Sequence, residues 1–206
     1  ALRAVHAGFY LASKTLSIGI VGPGLIGRQL LAQLAAAQSR TRQDHAVNLC
    51  VRGIMNSSHM LIDEEGINLS TWEESLAQQV CDASLDDLVK HLLSDDVPHA
   101  VIIDCTASQA IASQYLSLLQ RGVHVINPNK KANSGDYDYY QHLQAAAEKY
   151  HRYYFYGTTV CAGLPVLETL QDLIKTGDEI QEITGVVSGT LAYIFNEVNR
   201  GVAFSK

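Results

Sequence analysis

Five short apolar runs recur along the chain, at residues 15–22, 46–55, 100–105, 123–126 and 152–157, and segments with helical spacing separate them. The runs lack period-two alternation, so each is apolar on both faces. Strands of that kind belong inside a parallel sheet covered on both sides. Alternation with helices then predicts a doubly wound α/β fold of the Rossmann type, followed by the start of an α+β substrate or dimerisation domain. With 47% hydrophobic and 17% charged residues, the chain has enough apolar material for such a core.

The spacing predicts helices over 25–38, 84–93 (with Ser84 as cap), 108–120 and 136–150. Residues 56–80 are mixed and polar and read as an insertion with a loop and a short helix. From about Leu164 the texture changes to a helix over 165–175, a strand over 179–187 and a final helix opened by Ser188-Gly189-Thr190. The expected organisation is a linker from a preceding kinase-like region over 1–14, a dinucleotide-binding domain over 15–157 and an incomplete second domain over 158–206. The chain reads as a fragment of something longer.

A formal net charge of −6 argues against nucleic-acid binding, which needs a basic face. No apolar run approaches the roughly 20 residues that span a bilayer, so no membrane partner is expected. The first 14 residues show no signal-peptide pattern. Cys50, Cys81, Cys105 and Cys161 have no CxxC spacing and read as reduced thiols without zinc. The eight histidines show no ligand spacing either.

The stretch GIVGPGLIGRQLL places Gly22, Gly24 and Gly27 between the first strand and the first helix. Gly22 suits a tight turn, Gly24 a close backbone approach to a pyrophosphate, and Gly27 close helix–strand packing. Leu25 and Ile26 open the helix, whose N-terminal N–H groups attract phosphate. This is a dinucleotide site. NAD enzymes usually carry an acid at the end of the second strand. Residues 53–59 here hold none, and Arg52, Asn56, Ser57 and Ser58 are nearby, so NADP(H) is favoured over NAD(H).

Ligands bind at the carboxyl ends of strands in such sheets. The third strand ends in Thr106, Ala107 and Ser108, two of them small hydroxyls, with Ser108 also a fitting N-cap. The fourth ends in HVINPNKKANSG, where Pro128 forces Asn127 into an extended conformation and Asn129 and Lys130 follow. A lysine there can polarise a carbonyl or hold a carboxylate; an exposed lysine pair can equally be solvated surface.

Together GIVGPGLIG, VIIDCTAS, VHVINPNKKANSG, AGLPVLETLQDLIKTGDEI and GVVSGTLAYIFNEV resemble homoserine dehydrogenase over residues 15–206. The opening segment resembles the junction after the kinase half of the plant bifunctional aspartate kinase–homoserine dehydrogenases, which are chloroplast proteins. The resemblance implies reversible reduction of aspartate 4-semialdehyde to L-homoserine by NAD(P)H, on the branch to threonine, methionine and isoleucine. It implies that Lys130 lies by the nicotinamide and substrate, with Lys131 structural, that Thr106 contacts the cofactor, and that Gly189 and Thr190 line the amino-acid substrate. It also implies a homodimer or larger homo-oligomer, with residues 185–198 in the dimer core.

Two departures from the family pattern stand out. Relatives hold a monovalent cation with an acid at position 157 and main-chain oxygens matching Val160, Ala162 and Leu164. Gly157 has no carboxylate, which argues against a cation. Cys161 replaces a glycine, at a position where unusual backbone angles are expected. The family's later block with its acid–base lysine and paired carboxylates does not occur before Lys206. The alternative to an enzyme is therefore a diverged NADP(H)-binding paralogue without turnover. A catalytic nucleophile at Cys161 is the weaker reading beside a substituted glycine.

Overall fold

The computed structural model describes residues 14–79, 81–93, 99–186 and 188–205. The expected 1–14 linker, Lys14 apart, lies outside them. The chain divides into two compact units, Ala1–Phe155 and Tyr156–Lys206.

The first unit is a six-stranded sheet: β1 (Lys14–Val21), β2 (Val47–Met55), β3 (Met60–Ile62), β4 (His99–Asp104), β5 (Val123–Ile126) and β6 (Tyr154–Phe155). The order across the sheet is β3-β2-β1-β4-β5-β6. All pairs are parallel except β2–β3. The helices are α1 (Leu25–His45), α2 (Trp72–Ala77), α3 (Leu85–Leu92), α4 (Gln109–Ala112), α5 (Tyr115–Gln120) and α6 (Tyr137–Lys149). Register pairs Val21 with Met55 on one side and with Asp104 on the other, while Ile103 pairs with Ile126. The carboxyl ends of β1, β2, β4 and β5 therefore share one edge of the sheet.

Both faces of the sheet are covered, as the unalternating strands require. Ile18, Ile20, Val51, Ile54, Val101 and Ile103 pack with Leu31 of α1 and with Trp72 and Leu76 of α2. Leu88, Leu92, Ile102, Leu118, Leu119, Val125 and Leu143 are also buried. Each such side chain contributes about 1.5–3 kcal/mol when fully buried.

Several elements differ from expectation. Helix α1 runs to His45, seven residues past Gln38, because nothing in the polar continuation breaks it and Arg40 pairs with Asp44 at 3.3 Å. It stops where Ala46 turns left-handed, at φ 53°. The 56–80 insertion contains a strand, β3, as well as helix α2. The helix expected over 108–120 is two short ones. The Ser113 hydroxyl donates back to the Ala110 carbonyl at 2.9 Å, and Gln114 N–H goes to Ile111, which interrupts the ladder. The strand expected over 152–157 shrinks to β6. Arg152 N–H instead donates to the Ala147 carbonyl, closing the end of α6 beyond the left-handed His151.

The second unit contains a 3₁₀ turn (Gly157–Thr159) and helices α7 (Val166–Lys175) and α8 (Gly189–Asn199). Ser188 caps α8, its hydroxyl accepting from Leu191 N–H at 3.2 Å. The strand expected over 179–187 is not formed: its described residues have no regular structure. A strand needs a ladder partner, and the described residues of this unit contain none.

Candidate active site

The glycine turn is built as its spacing predicts, and the three glycines do different work. Gly22 has φ 85°, a left-handed conformation that costs glycine nothing. A Cβ there would also stand 3.1 Å from the Thr106 backbone nitrogen. A Cβ on Gly27 would strike the Gly22 carbonyl, so this glycine lets α1 sit against the turn. Around Gly24 there is open space within 4 Å.

Gly24 is the N-cap of α1 and has no side chain to satisfy the helix end; the first turn holds no acid. Intrahelical bonding begins with Arg28 N–H to the Gly24 carbonyl at 2.8 Å. The amides of Leu25, Ile26 and Gly27 thus have no acceptor within the helix, which leaves a 21-residue helix with an anion-binding end. Leu25 and Ile26 are themselves exposed.

Beside this turn lies an open cavity of about 760 Å³, lined among others by Gly22, Gly24, Asn56, Ser57, Cys105 and Thr106. The Asn56 side chain accepts from Ser58 and His59 N–H, both at 2.7 Å, and so fixes the turn after β2. Arg52, expected near the cofactor, is buried in β2 and does not line the cavity. Among the described residues, the Lys or Arg side chain that does is Arg28, from α1. It pairs with Glu73 of α2 at 3.2 Å. Sequence reasoning missed both residues, because the search for an acid stopped at the end of β2 while Glu73 arrives from the insertion. Cys105 also lines the cavity; burial, and then the Asp104 charge, push its thiol up to about 11, so it stays protonated.

The ends of β4 and β5 are joined by one buried carboxylate. Asp104, the last residue of β4, is fully buried. Its Oδ1 accepts from Thr106 N–H at 2.8 Å, and its Oδ2 accepts from Tyr115 O–H at 2.5 Å and from Asn129 Nδ2–H at 2.9 Å. Burying a carboxylate costs several kcal/mol, which hydrogen bonds to charge at about 1.5–3 kcal/mol each must offset. Burial, chiefly, raises the Tyr115 phenol far above its ordinary range, so it remains a donor. Asn129 uses its other end as a cap: its Oδ1 accepts from Lys131 N–H at 3.1 Å and opens the 3₁₀ turn Lys130–Ala132. Both lysine side chains are exposed while Ala132 is buried. Ser108 caps α4, its hydroxyl accepting from Ile111 N–H at 3.4 Å, and its own N–H donates to the Thr106 hydroxyl at 3.0 Å.

In the second unit Gly189 and Thr190 form the exposed first turn of α8. Val160, Ala162 and Leu164 lie on the loop before α7. There Cys161 and Ala162 have φ of 56° and 52°, so the residue standing for glycine does adopt left-handed angles. The Leu164 carbonyl accepts from Val166 N–H at 2.8 Å. A Cβ built on Gly157 would fall on the Glu168 carboxylate, so that space already holds an acid from α7.

Strand order, glycine turn and helix N-terminus together define a Rossmann dinucleotide-binding domain. A family model described as "Homoserine dehydrogenase, NAD binding domain" matches residues 22–157, and one described as "Homoserine dehydrogenase" matches residues 165–206. The chain belongs to the homoserine dehydrogenase family. It is 47% identical over 207 residues to the chloroplastic bifunctional aspartokinase/homoserine dehydrogenase of Daucus carota, covering all of this chain and 22% of the relative. It is 39% identical over 188 residues to the homoserine dehydrogenase of Schizosaccharomyces pombe, covering 90% of this chain and 50% of that one. The chain thus spans half or less of these relatives. A hyperthermophilic archaeal homoserine dehydrogenase mutant in complex with NADPH has the same fold, with a TM-score of 0.73 at 23% identity over 93% of this chain and 58% of the other. Among the described residues, no helix is long and apolar enough to cross a membrane.

Proposed function

We propose that this chain is the cofactor-binding portion of a bifunctional aspartokinase/homoserine dehydrogenase, interconverting aspartate 4-semialdehyde and L-homoserine with NADP(H) in preference to NAD(H). The observation that carries the reading is the Lys130 turn, set at the carboxyl end of β5 on the sheet edge that bears the glycine turn. The N-terminus of α1, at Gly24, Leu25 and Ile26, receives the pyrophosphate, and Thr106 contacts the cofactor. A bound nicotinamide supplies the hydride; the Lys130 ammonium stabilises charge on the substrate oxygen. Gly189 and Thr190 bind the amino-acid end of the substrate. For a monovalent cation the second unit offers the main-chain oxygens of Val160, Ala162 and Leu164, and the carboxylate at the Gly157 position is that of Glu168. The names of the plant relatives support a chloroplast protein, and the exposed apolar residues of α8 support a homodimer.

The test is NADPH oxidation by aspartate 4-semialdehyde, followed by absorbance, in the full-length protein that contains this chain. Turnover in the wild type, strongly lowered but still measurable in Lys130→Ala with NADPH affinity within a few-fold, supports the reading. NADPH binding without turnover in the wild type establishes the second reading, a diverged paralogue, which the Cys161 departure favours.

A further inference from the structure

We propose that Asp104 is a positioning residue, which sets the cofactor-side turn with one carboxylate oxygen and the Lys130 turn with the other. The proposal rests on the reading of Lys130 given above.

Three neutral donors converge on this carboxylate from three directions: the Thr106 backbone, the Tyr115 phenol on α5, and the Asn129 amide after β5. None of the three is a cation, and among the described residues Asp104 has no ion-pair partner within salt-bridge distance. A buried charge held by neutral donors is a poor choice for stability alone, since an apolar side chain of similar size would avoid the desolvation cost. It is a good choice for geometry, because a carboxylate accepts on both oxygens and can anchor two loops at once. Oδ1 anchors Thr106, whose turn backs onto Gly22. Oδ2 orients Asn129 so that its Oδ1 faces Lys131 N–H and starts the turn at Lys130. A second bond, from Asn129 Nδ2–H to the Ser108 carbonyl at 3.0 Å, ties the same amide to the β4 loop. Asp104 therefore reaches the Lys130 turn through Asn129.

The arms of the carboxylate can be separated in the full-length enzyme. Asn129→Ala removes the Lys130 arm and leaves the Thr106 arm. It should lower kcat about ten-fold or more, the scale of a small misplacement at a reacting centre, with the NADPH Kd within about twofold. Asp104→Asn is isosteric, but its amide must aim a donor at Thr106 N–H or at Tyr115 and Asn129. It should lower kcat and also weaken NADPH binding. In a Lys130→Ala background, Asp104→Asn should lower kcat little further, because it acts through the missing lysine. If Asp104→Asn does not fold, Asn129→Ala and its combination with Lys130→Ala carry the same test. Additive losses would overturn the proposal by showing a general structural effect. So would unchanged kcat in both variants while Lys130→Ala is strongly impaired. Wild-type turnover in Lys130→Ala would overturn the reading of the lysine instead.

Discussion

The Glu168 carboxylate occupies the space in which a side chain on Gly157 would begin, with Oε1 overlapping the Cβ position and Oε2 2.9 Å from it. The glycine and the acid are thus alternatives for one volume. Glu168 is exposed and flexible, so Gly157→Ala should merely displace it, changing stability by less than about 0.5 kcal/mol. Gly157→Glu should behave differently, because it sets two carboxylates together. We predict a loss of about 1 kcal/mol at neutral pH, relieved when Glu168→Ala is added. Denaturant midpoints for the four species of this double-mutant cycle check it; additive effects would show that the two positions do not share the space.

Cys161 and Ala162 are consecutive left-handed residues, and neither is glycine. Left-handed angles cost an L-residue about 1–2 kcal/mol. Cys161→Gly should therefore stabilise the second unit by about 1 kcal/mol, the gain being reduced by the greater chain entropy of unfolded glycine. A higher thermal midpoint in Cys161→Gly, with no such gain in Cys161→Ala, which keeps a Cβ in the same left-handed conformation, is the expected result. Stabilisation by alanine alone would place the strain in the thiol and not in the backbone.

How far the sequence could be read depended on whether a local rule decided the outcome. The glycine turn, the caps at Ser84 and Ser108 and the helix opened at Ser188 follow from local chemistry, and all were legible. Strand β3 was not, since three residues of a polar insertion pair antiparallel to β2 only because the sheet edge is there. The Gly157–Glu168 relationship spans a turn and a helix, and no local pattern signals it. Arg28 and Glu73 were missed for the same reason: they meet only when α2 packs beside α1. Asp104 was visible as the residue before Cys105 in an apolar strand, and a buried acid at a strand end was the signal that could have marked it.

His124 lies buried in β5, with His99 of β4 and Tyr153 against its ring at 6.1 and 5.4 Å between centroids. Its Nδ1 accepts from Tyr153 N–H at 2.9 Å, so the neutral ring is the one the fold holds. Burial first, then the charges of Arg152 and His99, pull it from 6.5 down to about 4. The unfolded chain therefore takes up this proton at a higher pH than the folded one. Stability from His124 is fully present above pH 6.5 and declines as pH falls toward 4. Denaturation midpoints across that window should fall in the wild type and fall less steeply in His124→Gln, which does not titrate. Parallel pH profiles would remove His124 as a cause.

Arg28 and Glu73 face one another across the cavity wall at 3.2 Å, with side chains 60% and 50% exposed. A pair so exposed adds little to stability, about 0–1 kcal/mol. Its consequence is for binding, because Arg28 lines the cavity and Glu73 partly neutralises it. A 2′-phosphate entering the cavity would compete with Glu73 for the guanidinium, while the 2′-hydroxyl of NADH offers no charge to compete with. Arg28→Ala should weaken NADPH about ten-fold, the value of one hydrogen bond to a charged group, and leave NADH nearly unchanged. Glu73→Gln should do the reverse for NADPH, tightening it several-fold by removing the competing carboxylate. Fluorescence titration of both cofactors against the two variants separates the possibilities. Equal losses for NADPH and NADH in Arg28→Ala would mean that the guanidinium serves the pyrophosphate common to both, and the proposed preference for NADP(H) would then need another source.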